Sequence, residues 1–189
     1  WIYGGGFNIG SASMANYSGE PLARAGVVRV NIAYRVGALG FLAHPDLTRE
    51  SGTGGSGNYG LMDQIAALQW IQRNIAKFGG DPGNVTIVGQ SAGSMAVALL
   101  QTSPAARGLF HRVAGMSGSP FGGMLGPVPL ARAEVQGLAL QKELGAASLA
   151  DMRALPGDRV IAATTQRDPI VIDGQVVTQT PSAGGNPQG

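Results

Sequence analysis

Val85-Thr86-Ile87-Val88-Gly89-Gln90-Ser91-Ala92-Gly93 joins a β-branched run to a serine set between two glycines. Its first four residues are a short β-branched run, the kind that packs as a fully buried strand in an α/β sheet. Beyond the run, Ala92 to Gln101 is apolar and free of proline, which predicts a helix. Strand, tight turn and helix therefore follow one another, with a Gly-x-Ser-x-Gly pattern at the turn. A serine there is pushed outward only if small residues flank it, because side chains would collide with the crossing backbone. The turn also aims the first free N–H groups of the helix toward whatever the serine attacks. Ser91 is thus a candidate nucleophile, with Gly89, Gln90 and Gly93 shaping its turn. Glycine-spaced patterns arise easily in a chain with 31 glycines among 189 residues, so it is the flanking strand and helix that give this one meaning.

Working outward, Val27 to Ala33 is a second strand candidate, almost continuously β-branched or apolar. Trp1-Ile2-Tyr3 reads as the end of a strand whose beginning is missing, and the Gly4-Gly5-Gly6 run after it is a candidate oxyanion loop. From Leu61 to Phe78 the apolar residues Leu61, Ile65, Leu68, Ile71, Ile75 and Phe78 recur at steps of three or four, one face of a helix that Gly79-Gly80 ends. Val113 to Ser117 offers another short strand. This alternation predicts an α/β architecture, a parallel sheet covered by helices. Later, Leu130 to Leu144 is helix-prone up to Gly145, and Ser148 to Asp151 resembles a capping box for a short helix halted by Pro156. That later part lacks strand signals and is expected to lie over the sheet.

No internal repeat and no domain boundary is evident. The expected organisation is part of a single domain: residues 1–119 as sheet core, 120–180 as a helical covering region, and 181–189 as an unpacked tail without apolar pattern. With no initiator methionine and no signal peptide, the chain reads as a fragment.

Hydrophobic residues make up 44% and charged residues 13%, values of a folded domain with a real core. A net charge of +2, without Lys/Arg blocks or aromatics interleaved with basic residues, gives nucleic acid no support as a partner. No apolar run approaches the roughly 18 residues a membrane span needs. The absence of cysteine excludes disulfides, thiolate metal sites and cysteine nucleophiles, and leaves the compartment open.

The chain resembles type-B carboxylesterases, the family that includes the cholinesterases and many bacterial and fungal esterases. The resemblance is carried by Trp1 to Phe7, Asn31 to Leu42, Gly57-Asn58-Tyr59-Gly60-Leu61-Met62-Asp63-Gln64, Phe78-Gly79-Gly80-Asp81-Pro82 through Ser94 and, further on, Val171-Ile172-Asp173-Gly174. It implies an α/β-hydrolase fold and a serine carboxylic ester hydrolase acting on a small-molecule ester without cofactor or metal. Ser91 would attack the carbonyl and form an acyl-enzyme that water hydrolyses. The N–H groups of Gly5, Gly6 and Ala92 would hold the oxyanion, and Phe121 and Met124 would line part of an acyl pocket. Two other readings stay open. One is a cholinesterase-like adhesion or binding module that has lost catalysis; the other is an amide, carbamate or thioester hydrolase using the same site.

An α/β-hydrolase supplies its triad in the order Ser, Asp or Glu, His. His44 precedes Ser91, and no acid lies between Ser91 and His111, so neither histidine fits. Both are expected to be structural or superficial, and the triad acid and histidine are expected beyond residue 189. Gln90 stands where many family members have Glu, and Tyr3 where many have His. The resemblance further implies a buried Arg35–Asp63 ion pair. Gly52 to Gly57 spells a literal Gly-x-Gly-x-x-Gly, but no strand runs directly into it, so a nucleotide site is not expected.

Overall fold

A computed structural model describes residues 1–119, 126–163 and 170–179. Its helices are α1 (Glu20–Arg24), α2 (Ala38–Phe41), α3 (Pro45–Glu50), α4 (Tyr59–Asn74), α5 (Ala92–Thr102), α6 (Leu130–Glu143), α7 (Leu149–Ala154) and α8 (Gly157–Ala163). Its strands are β1 (Thr86–Gln90), β2 (Arg112–Met116), β3 (Val128–Pro129) and β4 (Val171–Ile172).

β1 and β2 pair in parallel, from Thr86 opposite Arg112 to Gln90 opposite Met116. On the other side of β1 lies the start of the chain: Ile2 forms a parallel bridge with Gly89, and its N–H donates to the Val88 carbonyl at 2.8 Å. Beyond that, Trp1 joins the expected strand at Val27 to Ala33. The terminal amine donates to the Val30 carbonyl at 2.6 Å, and the Ile32 N–H to the Trp1 carbonyl at 3.0 Å. The 27–33 segment is otherwise assigned no strand, contrary to expectation: its described backbone pairing with the sheet consists of the two bonds with Trp1. The sheet thus runs from 30–32 through 1–3 and β1 to β2.

α4 forms as its periodicity predicts. Leu61, Ile65, Leu68, Ile71 and Ile75 are all buried, in one core with Ile2, Ile32, Ile87 and, from α5, Met95, Leu99 and Leu100. Phe78 departs from the pattern, being 62% exposed with its ring tilted against Trp70. The helix tightens to a 3-10 turn over Ile75–Phe78, where the 3.6-residue period no longer applies, and Gly79 ends it in the left-handed conformation.

The later region is not purely helical, which corrects the expectation for 120–180. β3 and β4 form a small parallel pair, Val128 opposite Val171 and Pro129 opposite Ile172. Two residues are too few to show alternation in a sequence. The predicted helices are present, and Ser148 caps α7 by accepting from the Asp151 N–H at 3.1 Å. Leu140, Leu144, Leu149, Met152 and Val160 pack on Ala38 and Leu42, a second core around α2. Among the described residues no helix is long and apolar enough to cross a membrane.

Candidate active site

β1 ends at Gln90 and α5 begins at Ala92, so one residue carries the whole turn. Ser91 does so with φ 55° and ψ −122°, a sparsely populated conformation costing about 1–3 kcal/mol. Its N–H donates to the Met116 carbonyl at 2.8 Å, and its carbonyl accepts from the Met95 N–H at 3.1 Å. The backbone is therefore fixed by β2 on one side and by α5 on the other. The half-buried hydroxyl has no hydrogen-bond partner among the described residues.

Three backbones converge here, and glycine lets them. A Cβ on Gly89 would stand 2.2 Å from the Gly93 carbonyl oxygen, and one on Gly93 would stand 2.1 Å from that of Ile2. A Cβ on Gly4 would stand 2.7 Å from the Gln90 oxygen and 3.1 Å from Ser91 Cβ, so the glycine loop begins directly against the serine. Gly5 and Gly6 continue it at φ 121° and 65°, conformations open to glycine. The N–H groups of Gly5, Gly6 and Ala92 donate to no acceptor among the described residues. That of Ala92 is one of the N–H groups every helix leaves free at its start.

A fourth backbone, the one following β2, also reaches the turn. A Cβ on Gly118 would lie 2.2 Å from the Ser91 carbonyl oxygen, and Ser94 Oγ donates to the Gly118 carbonyl at 2.8 Å. The Gly118 contact joins the end of β2 to the turn, a meeting of segments distant in sequence. Phe121 and Met124 follow it but lie outside the described residues.

The model of the carboxylesterase family matches residues 1–183. The chain belongs to that family. It is 48% identical over 152 residues to the fumonisin B1 esterase of Sphingopyxis macrogoltabida, covering 80% of this chain and 27% of the relative. Carboxylesterase 4A of Bos taurus is 49% identical over 132 residues, or 69% of this chain and 22% of its own length. Phenmedipham hydrolase of Pseudarthrobacter oxydans is 41% identical over 165 residues, 87% of this chain and 31% of its own. The chain thus spans about a quarter of these relatives' length. Among solved structures, the Geobacillus stearothermophilus carboxylesterase EST55 superposes with a TM-score of 0.86 at 35% identity, over 96% of this chain and 40% of that one. The fold is that of the α/β-hydrolases.

Both histidines have structural work. His44 is buried; its Nδ1 accepts from the Asp46 N–H at 3.1 Å at the start of α3, and its Nε2 meets Gln141 Oε1 at 2.6 Å. His111 Nδ1 accepts from the Val85 N–H at 3.2 Å. Asp173 is spent on a turn, its Oδ1 accepting from the N–H groups of Gln175, Val176 and Val177, each at 2.9 Å. The Gly52–Gly57 loop follows helix α3 rather than a strand, which removes the context a nucleotide fingerprint requires.

The Arg35–Asp63 pair is present but not buried, which corrects the expectation. Its side chains are 54% and 25% exposed. Asp63 Oδ2 accepts from the Arg35 backbone N–H at 2.9 Å and from Nε at 2.8 Å, while Oδ1 accepts from Nη2 at 2.8 Å. Partial burial pushes the Asp63 carboxyl upward, yet these hydrogen bonds outweigh it and hold the pKa below its ordinary value.

Proposed function

We propose that this chain carries the nucleophile half of a serine carboxylic ester hydrolase. Residues 1–189 are read as part of one catalytic domain. Ser91 Oγ attacks the carbonyl carbon of a small-molecule ester while a general base takes its proton. The negative charge that develops on the carbonyl oxygen is met by the N–H groups of Gly5, Gly6 and Ala92. Collapse of the tetrahedral intermediate expels the alcohol, which takes up the proton, and leaves an acyl-serine that water then hydrolyses. Losing one oxyanion donor of this kind costs about 3–4 kcal/mol of transition-state stabilisation.

The observation that carries this reading is Ser91 on a strained one-residue turn between β1 and α5, with the glycine loop seated against it. The names of the relatives, two esterases and a hydrolase, point to ester bonds as the target. Because His44 and His111 are engaged elsewhere, the base and its acid are assigned to sequence beyond residue 189. An intact serine and glycine loop weigh against a non-catalytic adhesion module.

The test uses the full-length protein. Wild type should label with a fluorophosphonate probe and cleave short-chain nitrophenyl esters, and Ser91→Ala should abolish labelling and lower kcat by at least about 10³-fold. Equal labelling and turnover by Ser91→Ala would refute the assignment. A preference for nitroanilide, carbamate or thioester analogues would keep the acyl-enzyme and change the bond.

A further inference from the structure

Tyr3 directly precedes Gly4, and its partner is Tyr34. Tyr3 Oη donates to the Tyr34 carbonyl at 2.6 Å, and Tyr34 Oη donates to the Tyr3 carbonyl at 2.7 Å. The rings stack with centroids 4.3 Å apart and planes at 19°. Both residues are buried. Burial pushes both phenols above their ordinary pKa, so each hydroxyl keeps the proton it donates.

The bond to the Tyr3 carbonyl has a particular reach, because that carbonyl and the Gly4 nitrogen share one peptide plane. Fixing the oxygen fixes the orientation in which the chain enters the glycine loop. The far end of the loop is held by the same segment: the Gly37 N–H donates to the Phe7 carbonyl at 2.8 Å. Gly4, Gly5 and Gly6 lie between these two anchors. Arg35, between Tyr34 and Gly37, is tied to α4 by its three hydrogen bonds to Asp63. The helix that builds the core therefore also grips the segment that grips the loop.

We propose that residues 34–37 are the cradle of the glycine loop and that Tyr34 is a positioning residue for catalysis, aiming the N–H groups of Gly5 and Gly6 through its bond to the Tyr3 carbonyl. This rests on the Ser91 reading. Glycine loops have little stiffness of their own, so their geometry has to come from neighbours. Tyr34 touches no substrate and acts only through Tyr3.

Tyr34→Phe in the full-length enzyme removes the bond and keeps the ring. The expected result is a kcat on a short-chain nitrophenyl ester lowered about tenfold, with KM changed less than about twofold, since a misplaced group costs rate more than ground-state binding. The Ki of a trifluoromethyl ketone should rise by a similar factor, because its serine adduct places an oxyanion in the same loop. A merely structural role would lower the melting temperature and leave the ketone Ki of the folded enzyme unchanged. Wild-type kcat and Ki in folded Tyr34→Phe overturn the proposal. If that variant does not fold, Asp63→Asn, which loosens residues 34–37 from α4, should shift kcat and Ki in the same direction by a smaller factor; an unchanged Ki overturns the proposal. A wild type without esterase activity, or an active Ser91→Ala, overturns the Ser91 reading and this one with it. A Ser91-dependent wild type with an unaltered Tyr34→Phe overturns this one alone.

Discussion

Phe7, Ser91 and Ser117 are the non-glycine residues with positive φ among those described, at 62°, 55° and 53°. They mark the far end of the glycine loop, the turn after β1 and the end of β2. Backbone strain thus gathers in the segments that meet around Ser91, and such strain persists only where the surroundings over-determine it. Here the over-determination is visible in the 2.8 Å bond from the Ser91 N–H to Met116 and the 3.1 Å bond from Met95 back to Ser91. Glycine at position 91 should release this strain, whereas alanine should keep it. The release is worth about 1–3 kcal/mol and the greater unfolded-state freedom of glycine removes up to about 1 of that. Ser91→Gly should therefore be about 1 kcal/mol more stable than Ser91→Ala, read as a higher melting temperature of the full-length protein, with both inactive. Equal melting temperatures would mean that the turn stores no strain.

At the level of elements, Asp63 links α4 to the chain at Arg35 with one carboxylate serving a backbone N–H and a guanidinium. With the pair half in solvent, its worth is about 1 kcal/mol. The folded-state pKa of Asp63 is depressed, so this stability is fully present above the unfolded value of about 3.9 and is lost as pH falls through the lower folded value. Asp63→Asn should lower the melting temperature by a constant amount above about pH 5, and the difference should close below about pH 4. A difference that persists unchanged at pH 3 would assign the effect to packing. Elements of this kind were legible to different degrees. α4 is long enough to show a period, and its buried face follows it; α5 is buried nearly all round as its apolar run suggests, while β1 alternates between exposed and buried residues instead of being buried throughout. The 27–33 run shows its β-branched character, but a strand also needs a paired neighbour, which composition does not reveal. β3 and β4 leave no signal at all, being two residues each. The candidate site divides likewise: Ser91 and its glycines are consecutive and readable, while Gly118 and Tyr34 reach it only through contacts between distant segments.

For the whole molecule the informative feature is β2. Parallel strands are ordinarily covered on both faces and paired on both edges. β2 pairs only with β1 among the described residues, and most of its residues are exposed, Met116 at 43%. His44 serves the start of α3 and His111 serves Val85 just before β1, so among the described residues neither histidine bonds to Ser91. Under the proposed function, the described residues present a nucleophile and a strand edge that no described residue pairs. An unpaired parallel edge with apolar side chains is a surface for association. Residues 1–189 expressed alone should therefore bind an apolar dye, melt below the full-length protein and tend to aggregate. A serine without a general base is a weak nucleophile, so their ester turnover should be below about a thousandth of the full-length rate. Adding back the remainder as a separate polypeptide should suppress dye binding and raise turnover together, since one segment would cover β2 and supply the base. Full-rate hydrolysis by residues 1–189 alone would show instead that the base lies within them and that His44 or His111 moves to Ser91 when substrate binds.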